Sequence, residues 1–77
     1  MHSFDLEIDV SGLLCPYPLL EAKKALVTLA TGKILKITAT DPASIIDFKA
    51  FAATSPHRLL HYEQTKEGIY YFWLERR

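Results

Sequence analysis

Residues 3–10, SFDLEIDV, alternate between polar and apolar. Phe4, Leu6, Ile8 and Val10 share one face, and Ser3, Asp5, Glu7 and Asp9 share the other. This period of two predicts a half-buried strand, which Ser11-Gly12 ends. From Pro16 the period lengthens. Leu19, Ala22, Leu26, Leu29 and Ala30 recur at helical spacing, with Glu21, Lys23 and Lys24 toward the outside. Pro16 suits the first helical position and Gly32 the position just past the end. Residues 33–40 alternate again, with Leu35, Ile37 and Ala39 on one face and Lys36, Thr38 and Thr40 on the other. Asp41-Pro42 then reads as a cap and first turn for a second helix ending near Ser55-Pro56.

Residues 58–64 and 69–75 read as two strands joined through Lys66-Glu67-Gly68, a hairpin with a loop longer than two residues. The last strand is apolar on both faces at its centre, from Tyr70 to Leu74. It is expected to be central or covered, or to offer aromatics to a partner. The order is β-α-β-α-β-β. Because the first two strands each keep a polar face, the helices are expected on one side only. The predicted fold class is therefore α/β, a two-layer sandwich with a four-stranded mixed sheet. The first two strands are parallel and the last two antiparallel.

With 77 residues, the chain is expected to form a single domain, 1–77. No apolar run approaches the ~20 residues that span a bilayer, and the first residues lack a signal-peptide pattern. Membrane insertion is not expected, and the cytoplasm is the default compartment. Nine basic and nine acidic residues balance to zero net charge, which argues against direct nucleic-acid binding.

Cysteine usage narrows the chemistry further. Cys15 is the one cysteine, so an intrachain disulfide and a Cys-x-x-Cys redox cycle are excluded. His2, His57 and His61 lack zinc-finger spacing relative to it, so no metal site and no cofactor are expected. Cys15 sits at the predicted start of the first helix, where dipole and free N–H groups favour a thiolate. Pro16 and Pro18 remove two of those donors and leave those of Tyr17 and Leu19, so a moderately lowered thiol pKa is expected. The prolines also form a rigid mount, and Gly12 lets the preceding loop turn sharply. These residues leave two readings open: a small core hydrophobe, or an exposed reactive thiol. Asp9 is expected to cap its turn and Asp41 to cap a helix. His57 and His61 are expected to have no acid–base role. Lys23 and Lys24 are candidates for steering an anion or an acidic partner.

Asp9-x-x-Gly12-x-x-Cys15-Pro16-x-Pro18, followed by Lys23-Lys24-Ala25-Leu26, resembles the TusA family, also called SirA-like. Gly32, Asp41-Pro42, Asp47 and His57 extend the resemblance along nearly the whole chain. Cys-Pro-Tyr-Pro and LLEAKKAL are closer to the YedF and YeeD branches. Tyr17 stands where tRNA-thiolating members often have an acidic residue, and Phe51-Ala52-Ala53 where many relatives have a further cysteine. The resemblance implies a fold like the C-terminal domain of translation initiation factor 3. It also implies a sulfurtransferase-type sulfur carrier that takes sulfane sulfur as a persulfide on Cys15. The implied partners are sulfur donors and acceptors: a desulfurase, a rhodanese, a permease, or a downstream Tus- or Dsr-type protein. The other reading is a regulatory or interaction module whose thiol is incidental.

Overall fold

A computed structural model describes residues 2–77, so Met1 of the expected domain lies outside it. The element order is β1 (Leu6–Asp9), α1 (Tyr17–Leu26), β2 (Ile34–Ala39), α2 (Ser44–Thr54), β3 (Arg58–Gln64) and β4 (Tyr70–Glu75). The four strands form one mixed sheet in the order β1-β2-β4-β3. β1 and β2 run parallel, with Leu6 opposite Leu35 and Ile8 opposite Ile37. β4 pairs antiparallel with both β2 and β3. Its apolar character on both faces follows from this central place.

The two faces of the sheet differ. On the inner face Leu35, Ile37, Ala39, Phe72 and Leu74 are fully buried with Ala22 of α1 and Phe48 of α2. The Phe48 and Phe72 rings lie 4.5 Å apart, close enough for a tilted aromatic pair. On the outer face Lys36 stands opposite Trp73. Its ammonium lies within about 6 Å of the rings of Phe4, Tyr71 and Trp73 and 3.4 Å from the Glu7 carboxylate. Trp73 is thereby buried without a helix above it.

Two element boundaries differ from those the periodicity predicts. β1 begins at Leu6, because Asp5 turns back on β2: its N–H donates to the Ile34 carbonyl and its carboxylate accepts from the Ile34 N–H, both at 2.8 Å. Phe4 consequently leaves the inner face and lies against Lys36 on the outer one. α1 ends at Leu26, well before Gly32. Thr28 folds its hydroxyl back onto the Ala25 carbonyl, which competes with helix continuation. The Arg76 guanidinium, from beyond β4, donates to the carbonyls of Leu26, Val27 and Leu29. A cation at a helix C-terminus satisfies the dangling carbonyls and complements the dipole.

This clamp makes a prediction. Arg76→Ala removes three charge-assisted bonds and should lower stability by about 2 kcal/mol in urea denaturation. All three contacts come from one nitrogen, Nη1, so Arg76→Lys, which keeps a single charged donor nitrogen, should recover part of the loss.

Candidate functional site

β1 and β2 are parallel, so the loops that leave their C-terminal ends lie side by side. The first loop carries Cys15 and the second carries Asp41. Three contacts build the first loop. The Asp9 carboxylate accepts from the Ser11 N–H at 2.9 Å, the local Asx turn that its position suggests. Gly12 adopts a φ of 85°, a left-handed conformation that suits glycine. Its N–H then donates to the Thr40 hydroxyl at 2.9 Å.

Asp41 makes the third contact. One of its carboxylate oxygens accepts from the Cys15 N–H, and the other accepts from the Ala43 N–H at 3.1 Å. The expected role was a cap for the second helix. The residue assigned to that cap position is Ala43, and Asp41 holds its N–H while also tying the start of α2 to the cysteine loop.

Cys15 itself is exposed and free. It precedes α1, whose N-cap is Pro16; Pro16 is exposed and Pro18 is buried. The Cys15–Pro16 peptide bond is cis. The reading of Cys15 as a buried core residue is therefore excluded. Around it Leu14 and Tyr17 are 69% and 59% exposed, and Leu13 and Leu20 are also exposed. This apolar collar faces solvent.

The expected acidification of the thiol is corrected by the structure. The Cys15 thiol is pushed above the ordinary cysteine value. The largest cause is the nearby Asp47 carboxylate, followed by partial desolvation and by the negative charge of Asp41. An adjacent carboxylate favours the protonated thiol. Of the two donors that the prolines leave at the helix start, the Tyr17 N–H is bound to the Leu14 carbonyl at 2.8 Å. Pro16 and Pro18 have no N–H to offer.

Other expected site residues lie elsewhere. Lys23 and Lys24 occupy the last turn of α1, away from the cysteine end. Lys24 pairs with Glu21 at 3.0 Å, and the Lys23 ammonium lies 5.5 Å from the centre of the Phe51 ring. His57 accepts from the Arg77 N–H at 3.1 Å through Nδ1, a structural contact. Asp47 is the residue at the thiol that local sequence reasoning missed. The parallel pairing of β1 and β2 was the available signal, because it sets the start of α2 beside the cysteine loop.

The geometry predicts a reactivity change. Asp47→Asn keeps the side-chain shape and removes the charge, so the thiolate fraction at pH 7.5 should rise. Alkylation of Cys15 by iodoacetamide should accelerate several-fold, with its pH profile displaced to lower pH. An unchanged rate would mean that the carboxylate does not control the thiol.

Comparison with known proteins agrees with this architecture. The sequence model of the family described as sulfurtransferase TusA matches residues 6–76. The sulfur carrier protein TusA of Allochromatium vinosum is 47% identical over 68 residues, which cover 88% of this chain and 87% of that protein. A putative sulfur carrier protein, YrkI, of Bacillus subtilis is 41% identical and covers 94% of this chain and 95% of its own. The TusA of Pseudomonas aeruginosa is 34% identical, over 99% of this chain and 95% of its own. In structure, the SirA-like protein of Desulfitobacterium hafniense superposes with a TM-score of 0.80 at 24% identity, covering 92% of this chain and 96% of that one. It shares the fold. With a matched family model over nearly all its length and relatives of this similarity, the chain belongs to the TusA family of sulfur carriers.

Proposed function

We propose that the protein carries sulfane sulfur as a persulfide on Cys15 and passes it to a partner protein. The observation that carries this reading is the solitary cysteine held exposed at a fixed loop tip, within the TusA family. A carrier needs one accepting thiol. A second thiol close by would attack the persulfide and discharge it as a disulfide.

The loading step balances without an outside oxidant. The Cys15 thiol first gives up its proton to solvent. The sulfur then attacks the terminal sulfur of a donor persulfide. The donor S–S bond breaks as the Cys15 S–S bond forms, and the donor thiolate leaves with the electron pair. Delivery to an acceptor thiol is the same exchange in reverse order.

The carboxylates also bear on the kind of donor. Asp41 and Asp47 disfavour approach of a small anion such as thiosulfate. A protein donor can bring its own positive charge and cover the apolar collar of Leu14 and Tyr17. We therefore place a desulfurase or a rhodanese ahead of free thiosulfate as the direct donor, and a downstream sulfur-accepting protein as the recipient. The empty carrier needs its accepting thiol kept free of disulfides, and the cytoplasm meets that need.

Intact mass tests the reading. After incubation with cysteine and a desulfurase, or with thiosulfate and a rhodanese, the chain should gain the mass of one sulfur atom. The gain should vanish in Cys15→Ser and reverse with a reductant. Leu14→Ser should slow loading from the protein donor at least several-fold while leaving alkylation by iodoacetamide unchanged. No gain with either donor, or a gain that survives in Cys15→Ser, would overturn it. Partner binding that survives without loading would favour the interaction module.

A further inference from the structure

The outer face of the sheet holds a second cluster, remote from the cysteine loop. Alternate residues of a strand share a face, and on β3 these include His61 and Glu63. They stand opposite Trp73 and Tyr71 of β4. The His61 Nε2 and the Glu63 carboxylate are 3.1 Å apart. The residues ahead of β1 cross this face, which brings the His2 ring to 4.0 Å from that of His61, stacked on it. Both imidazoles lie against Trp73, at 5.1 and 5.3 Å.

We propose that His2, His61 and Glu63 form a binding site for a divalent transition-metal ion of the zinc, copper(II) or nickel class. One ligand atom from each lies within 4.8 Å of the others. Two donors on one tetrahedral ion lie about 3.3 Å apart, given bonds near 2.0 Å. The His61–Glu63 spacing already matches that edge. The exposed His2 ring closes the third position by turning about its side-chain torsions, which unstacks it from His61. Two imidazoles and one carboxylate suit borderline metals rather than magnesium or calcium. The neighbouring cation, Lys36, lines the same hollow and lies over the Trp73, Tyr71 and Phe4 rings, with its charge paired to Glu7. Occupancy fastens the segment ahead of β1 across the open face of the sheet and leaves a coordination position to solvent. The site is independent of Cys15, which is why the zinc-finger spacing test applied to the cysteine did not find it.

Trp73 is the only tryptophan and touches both imidazoles, so copper(II), a strong quencher, reports binding directly. Copper(II) chloride titrated into the full chain carrying Cys15→Ser, without an affinity tag, should quench Trp73 with saturation at one ion per chain. Zinc should reverse the quenching by competition. Affinity should fall at least about tenfold in each of His2→Ala, His61→Ala and Glu63→Gln, and stay unchanged in His57→Ala. Quenching that fails to saturate at one equivalent, or that is unaltered in His61→Ala, overturns the proposal. Because His61→Ala also removes a ring packed on Trp73, NMR supplies a check on the unsubstituted cluster. Substoichiometric copper(II) should broaden the ring resonances of His2 and His61 before those of His57. Equal broadening of all three rejects the site.

Discussion

The carboxylate of Asp41 joins two loops that would otherwise be independent. It accepts from the Cys15 N–H on one side and the Ala43 N–H on the other. The first bond fixes the backbone that carries the thiol, and the second fixes the entry to α2. Asp47, in the first turn of α2, is thereby set against the sulfur. The Gly12–Thr40 bond repeats the tie between the loops one step closer to the strands. Beneath both lies the parallel pairing of β1 with β2, whose inner residues Leu35, Ile37 and Ala39 are fully buried. Geometry at the thiol thus descends from sheet packing through two polar contacts.

The electrostatic result is a thiol whose ionisation is disfavoured. That differs from redox enzymes whose cysteines are acidified to attack on their own. A protonated thiol is slow toward adventitious electrophiles. A partner that covers the collar and neutralises the carboxylates would convert it to the reactive form. Under the proposed function, docking would make reactivity conditional, which suits a carrier that must not release sulfur at random. The price is that small reagents report a sluggish thiol.

Much of this was legible from pattern alone. Strict alternation over 33–40 marked β2, and the two-faced apolar run of Tyr70 to Leu74 marked a central strand. Cys-Pro-Tyr-Pro marked the helix start and the family. The misread features share one physical cause: a side chain distant in sequence decides them. α1 stops early because Arg76, 50 residues beyond Leu26, takes its last carbonyls. Phe4 leaves the core because Asp5 bonds back to Ile34. The thiol is raised rather than lowered because Asp47 and Asp41 arrive from the far side of β2. Local helix-end physics described the donors correctly and had no way to count those acceptors.

The central claim is that carboxylates from the second loop, and not the helix dipole, govern Cys15. Its most direct test is the ionisation of the thiol in the unmodified protein, followed by the 13Cβ chemical shift of Cys15 across an alkaline pH titration. The account predicts a midpoint above that of cysteine in an unstructured peptide. A midpoint at or below that value would return control to the helix N-terminus and contradict it.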